Sequence, residues 1–243
     1  MTRVLVSFTF VALILAGVAV GQDTKKDKPA PKAAPVVPPL KGESKTITLF
    51  DGRTLDGWEG YEDHWSVKDG VIVGKSTQEV KTSTYLLTKE KFTDFRLTFD
   101  FKLAQSEMHS GVSFWGKVNP NVVKDPEGLR SKHTYQGHLV MFPSGWGMYD
   151  LYRRNGLPVS GKMGQKVGKQ HDWNAIEVLA QGNRVRVAAN GTEIVDWRDP
   201  LPENVAAGPI GLQLHSNKAP QEVQFKNLKL ETFPSEDKLI SVK

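Results

Sequence analysis

The residues able to do chemistry fall in four short segments. Glu107-Met108-His109-Ser110-Gly111 lies between two apolar runs, and His133-Thr134-Tyr135-Gln136-Gly137-His138 opens another. Alternate residues of an extended chain share a side, which groups Glu107 with His109 and Gln136 with His138. Imidazole titrates near neutrality and suits proton transfer, and imidazole beside carboxylate suits a divalent metal. His138, His109, Glu107 and Tyr135 are therefore the candidate catalytic residues, and Glu107, His109 and His138 a candidate metal set, although no dense ligand motif such as H-E-x-x-H is present. The third segment, Pro143-Ser144-Gly145-Trp146-Gly147-Met148-Tyr149-Asp150, sets an indole between two glycines. An aromatic surface of this kind packs well against the C–H face of a sugar ring. Tyr149, Asp150 and Arg153 beside it, with Gln136, are suited to recognising hydroxyls. Trp115 follows Val112 and Phe114 and is a second candidate platform. In the fourth segment Gln213 and His215 share a face opposite Ile210, Leu212 and Leu214, so His215 is placed to line a groove. The catalytic reading requires His109, His138 and Trp146 to converge on one hollow.

The elements that must position these groups are strands. Phe95, Leu97, Phe99, Phe101 and Leu103 alternate with Arg96, Thr98, Asp100 and Lys102. Nine residues of strict alternation describe a half-buried antiparallel strand. Lys68-Asp69-Gly70 reads as a hairpin turn whose Asp-Gly pair supplies positive φ angles. Gln181-Gly182-Asn183 and Asn190-Gly191 read the same way, and a bulge near Asn227 is needed to keep Leu228 and Leu230 pointing inward. No segment has a long helical period. Composition reads 120–132 and 155–170 as loops, the latter rich in glycine. Roughly a dozen strands in about 200 residues fit an all-β, two-sheet jelly-roll sandwich.

The N-terminal region has a different character. Arg3 precedes an apolar run from Val4 to Val20, and Ala19-Val20-Gly21 offers a small-residue cleavage pattern. Residues 1–21 are read as a signal peptide, which makes the protein periplasmic or secreted, with no integral membrane span after cleavage. Residues 22–45, rich in Lys, Pro and Ala, are read as a disordered spacer, 46–234 as the jelly-roll domain and 235–243 as a tail. The chain has no cysteine, which excludes disulfides and thiol chemistry. Its net charge is +5, but residues 1–45 hold seven Lys/Arg against three acids, leaving only +1 for the remainder. The basic balance thus belongs to the leader and spacer, and a nucleic-acid partner loses its electrostatic support.

Several motifs in order resemble one known family. Leu49-Phe50-Asp51-Gly52-Arg53-Thr54-Leu55-Asp56-Gly57-Trp58 is similar to the opening of the 3-keto-disaccharide hydrolase domain family. Trp65-Ser66-Val67-Lys68-Asp69-Gly70-Val71-Ile72 resembles its first hairpin, and Phe92 to Phe101 its long strand. His109-Ser110-Gly111-Val112, Trp173-Asn174 with Glu177, Asn190-Gly191 and Ile210-Gly211-Leu212-Gln213-Leu214-His215 extend the resemblance over roughly Thr46 to Phe233. It implies a concanavalin- or laminin-G-like jelly roll and action on 3-keto-glycosides: removal of the C2 proton, loss of the C1 oxygen, then addition of water. Such a site needs a base, a partner for the enolate oxygen and a proton donor, and a divalent metal is one candidate for the second role. Two positions depart from the family pattern: Gln136 stands where a carboxylate is usual, and His109 where Asn is usual. The alternatives are an enzyme rebuilt around histidine, a non-catalytic carbohydrate-binding module, and an envelope structural or adhesion domain.

Overall fold

The computed structural model describes residues 33–118, 135–143, 147–153, 155–157, 159 and 162–243. In chain order its strands are β1 (Lys45–Thr48), β2 (Trp58–Glu59), β3 (Trp65–Lys68), β4 (Val71–Ser76), β5 (Thr84–Thr88), β6 (Phe95–Gln105), β7 (Ser110–Val118), β8 (Tyr135–Phe142), β9 (Gly147–Asp150), β10 (Asn155–Gly156), β11 (Asn174–Gln181), β12 (Arg184–Ala189), β13 (Thr192–Arg198), β14 (Gly211–Leu214) and β15 (Gln221–Thr232). One sheet runs β13-β12-β11-β6-β15-β4-β3, with β1 also on β15, and the other runs β10-β9-β8-β7-β14-β5-β2. Every pairing is antiparallel. This is the all-β jelly-roll sandwich that the sequence implies. A six-residue helix, α1 (Lys162–Val167), falls within the segment read as a loop. Among the described residues no helix is long and apolar enough to cross a membrane.

The two sheets pack through the alternating face of β6. Phe95, Leu97, Phe99, Phe101 and Leu103 are all buried. Phe95 meets Phe114 of the opposite sheet edge to face at 5.7 Å, and Phe101 meets Phe142 at 4.4 Å. Edge-to-face contact of this kind aligns ring quadrupoles and adds to the burial of apolar area. The turns are built as their residues require. Asp69 and Gly70 have φ of 51° and 75°, and Asn190 and Gly191 have 51° and 83°, the left-handed pair that matches the twist of a tight hairpin. Asn227 has φ of 56° at the register shift of β15 between Lys226 and Lys229, which returns Leu228 and Leu230 to the core as expected.

Two segments read as peripheral make specific contacts. Within the stretch read as a spacer, the Val37 N–H donates to Asn183 Oδ1 at 3.0 Å, and Asn183 Nδ2 donates to the Pro35 carbonyl at 2.7 Å. The short polar side chain at the β11–β12 turn gives this part of the chain the backbone partners that it lacks internally. At the other end, Glu177 is fully buried and accepts hydrogen bonds from the Ile240 and Ser241 amides, the Ser241 hydroxyl and Arg96. Burial works against the charged carboxylate, but these donors outweigh it and hold the Glu177 acid below the usual range.

Candidate functional site

The hollow that matters lies on the outer face of the seven-stranded sheet. Successive side chains of a strand point to opposite faces. Val112, Phe114, Val140, Phe142, Leu212 and Leu214 go to the core between the sheets. Their neighbours go the other way, where Tyr85, Leu87, Tyr135, Leu139, Met141 and Leu151 form a second apolar cluster. Gln213 is the register partner of Tyr85, and Leu139 that of Tyr149, so each pair projects from the same face. Together with His109, His215, Met141 and Leu151 they line a hollow of about 230 Å³. Drug-sized ligands use roughly 300–1,000 Å³; this volume suits one pyranose ring.

The sequence His109-Ser110-Gly111 explains how the first histidine reaches that hollow. The Ser110 hydroxyl donates to the Gln213 carbonyl at 2.7 Å, tying the start of β7 to β14. Gly111 lets β7 lie close to β8, since a Cβ there would sit 2.1 Å from the Val140 carbonyl oxygen. His109 is thereby held against His215, the rings crossing at 72° with centroids 4.6 Å apart. From outside, Gln170 Nε2 donates to the Ser106 and Met108 carbonyls at 3.2 and 3.1 Å, bracing the turn that carries His109.

Electrostatics keep both rings neutral. Burial, then repulsion by His215, pushes the His109 imidazole down to about 4. Burial likewise lowers His215, opposed by its hydrogen bond to the Ser216 carbonyl. In that bond His215 Nδ1–H donates to the oxygen at 2.5 Å, which fixes the tautomer and leaves Nε2 with its lone pair. Gln213 is 2% exposed; its Nε2 donates to the Tyr85 hydroxyl at 3.1 Å, and its Oε1 has no partner among the described residues. Among the described residues that line the hollow, none is Lys, Arg, Asp or Glu.

The structure brings His109, His215 and Tyr149 together and separates the rest. His138, expected beside His109, is on the opposite face of the sheet. It is 1% exposed, bonded through Nε2 to Asp199 Oδ2 at 2.8 Å, and packed among Phe114, Trp115, Tyr152 and Trp197. The convergence on which the His109–His138 proposal rested is therefore corrected. Glu107 turns outward to His171 at 3.0 Å and does not line the hollow. Hence Glu107, His109 and His138 do not form a metal site, and among the described residues no group of three or more His, Asp or Glu could hold one.

Tyr135 lies in the outer apolar cluster, its hydroxyl donating to the Pro209 carbonyl at 2.7 Å, and burial pushes it well above the usual tyrosine range. It does not reach the hollow. Asp150 is the register partner of His138 and shares its face. There it accepts the Tyr152 and Arg153 amides and pairs with the exposed Arg153 guanidinium at 2.8 Å. Gln136, the second residue of β8, lies opposite Lys117 and is likewise outside the lining set. Trp115 is a core residue rather than a platform. It sits at φ 51° beside a bulge in β7, fully buried, its Nε1 donating to the Thr93 carbonyl at 2.6 Å. Trp146 lies outside the described residues.

Sequence reasoning missed Tyr85 and the apolar floor of Leu139, Met141 and Leu151. It also missed Asp199 as the partner of His138.

Comparison with known proteins now bears on this geometry. The model of the 3-keto-alpha-glucoside-1,2-lyase-like domain matches residues 45–231. The chain belongs to that family. Two solved structures of candidate glycosyl hydrolases from Parabacteroides distasonis ATCC 8503 are similar to it. One is 20% identical with a TM-score of 0.54, covering 78% of this chain and 94% of its own. The other is 20% identical with a TM-score of 0.52, covering 77% and 99%. At this identity they show the fold of the lyase-like domain. A comparison with curated proteins finds no match. The lyase-like family and its fold place this chain among carbohydrate-related proteins.

Proposed function

We propose that the protein cleaves 3-keto-glycosides at the outer-face hollow by elimination, with His215 as the base. The observation that carries this is the pair of neutral imidazoles in a one-ring hollow of a chain of this family. A carbonyl at C3 acidifies the C2 proton. His215 Nε2 takes that proton, the electrons pass to the C3 oxygen as an enolate, and their return expels the C1 oxygen. The leaving oxygen acquires a proton, and water then adds across the C1–C2 double bond. Base and leaving-group assistance need groups within hydrogen-bond reach, and Tyr85 and Tyr149 line the same hollow. His215 is the better base of the two rings, because its bond to the Ser216 carbonyl supports the imidazolium, whereas burial and repulsion by His215 push His109 down to about 4. Among the described residues the hollow offers two imidazoles and no carboxylate, and no step is assigned to a metal.

The test is incubation of the purified protein with a 3-keto-glucoside, protiated or deuterated at C2, with and without EDTA. Release of the aglycone, slowed by deuterium and unchanged by EDTA, is the expected result. Absence of release under every condition overturns the reaction, and sugar binding without turnover supports a carbohydrate-binding module instead. We also propose export through the apolar N-terminal run, which mass measurement of the mature N-terminus in the producing cell tests; an intact Met1 would contradict it.

A further inference from the structure

Resting on the reading of the hollow as a sugar site, we infer that it selects an uncharged, hydroxyl-bearing ring and that Gln213 sets this specificity by accepting a ligand hydroxyl through Oε1. The first support is a missing hydrogen bond. Gln213 is 2% exposed, its side-chain nitrogen is engaged by Tyr85, and its side-chain Oε1 is buried without a partner among the described residues. A buried acceptor left unmet is costly, and natural structures satisfy nearly all of them. Here the missing partner is a donor that arrives from the hollow. A sugar hydroxyl supplies one; a carboxylate or phosphate dianion supplies none.

The second support is the absence of compensating charge. No cation lines the hollow among the described residues. The two imidazoles able to carry positive charge are held neutral by burial and, for His109, by repulsion from His215. An anion entering such a site loses its hydration without gaining an ion pair. The floor is apolar, from Leu139, Met141 and Leu151, and suits the C–H face of a ring. Discrimination thus comes from both an attraction, one hydroxyl to one orphan acceptor, and a repulsion, desolvation of any charged substituent. Gln213 acts on binding rather than on the reacting bond.

The experiment measures binding of non-keto probes, so it is independent of turnover. Methyl glucoside, its monodeoxy analogues, methyl glucuronide and glucose 6-phosphate are titrated into the full-length protein and into Gln213→Met, whose fold is checked by near-UV circular dichroism. The wild type is expected to bind methyl glucoside at least tenfold more tightly than either anion. One monodeoxy analogue should lose about tenfold on the wild type, the loss of one neutral hydrogen bond, and nothing further on Gln213→Met. Anions binding as well as the neutral sugar, or Gln213→Met keeping the full deoxy discrimination, would overturn the inference even if 3-keto-glucosides are cleaved. If no probe binds, both the inference and the sugar-site reading fall. If methyl glucoside binds selectively and no keto-glucoside is cleaved, the inference stands and the elimination does not.

Discussion

Replacing His138 with leucine should destabilise the domain while leaving the outer-face hollow intact. His138 and Asp199 are each 1% exposed and joined at 2.8 Å, and they tie β8 of one sheet to the end of β13 of the other. Asp199 also accepts the Leu201 amide at 2.8 Å and Asn204 Nδ2 at 3.1 Å. Burial opposes its charge, but His138, Leu201 and Asn204 together hold its acid below the usual carboxylate range. Removing one partner of a buried pair leaves the other without compensation and costs about 3–5 kcal/mol. Two hydrogen bonds to Asp199 survive in His138→Leu, and leucine refills much of the ring's volume, so the lower end, about 3 kcal/mol, is expected. For a domain of this size that lowers Tm by roughly 6–12 °C. In a thermal-denaturation double-mutant cycle, His138→Leu and Asp199→Asn should couple by about 2 kcal/mol. Methyl glucoside affinity of the folded variant should stay within about threefold of the wild type. A His138→Leu variant with unchanged Tm, or one that melts normally but binds no sugar, would refute this structural role.

His109 predicts a pH dependence. Its folded pKa of about 4 lies below the 6.5 of the free side chain, so between those values the unfolded chain binds a proton that the folded one refuses. Stability therefore falls as pH drops from about 6.5 towards 4, and His109→Asn should show a smaller loss of Tm over that window. Glu177→Leu should cost about 3 kcal/mol, because it leaves the buried Arg96 with Glu231 as its one carboxylate partner among the described residues and frees the two tail amides. In that variant, carboxypeptidase should remove residues 235–243 far faster than in the wild type. If stability of His109→Asn tracks the wild type across the acid window, or if the tail stays protected in Glu177→Leu, those assignments fail.

Strand β6 was legible because one of its faces is apolar and the other polar, and the Asp69-Gly70 and Asn190-Gly191 turns because few residues tolerate their φ angles. The site was less legible for physical reasons. His138-Leu139-Val140-Met141-Phe142 is buried on both faces of its sheet, so period-two alternation groups His138 with Gln136 without saying which side is inward. Trp115 lies at a bulge that carries a positive φ on a non-glycine residue, a shift of parity that no local pattern announces. Glu107 and His109 diverge because the chain bends at 107 and 108, between β6 and β7, where strand alternation does not hold. What the pattern did reveal was the pairing of Gln213 of β14 with His215 just past its end, and both line the hollow.

The central claim is that the reacting base sits on the outer face of the seven-stranded sheet. Turnover of a chromogenic 3-keto-glucoside by the wild type, His215→Gln and folded His138→Leu tests it directly. Loss of a general base lowers the rate by roughly 10²–10⁴, so His215→Gln should fall by at least a hundredfold while His138→Leu stays within a few-fold of the wild type. The reverse order, with His215→Gln active and His138→Leu inactive, would contradict the account.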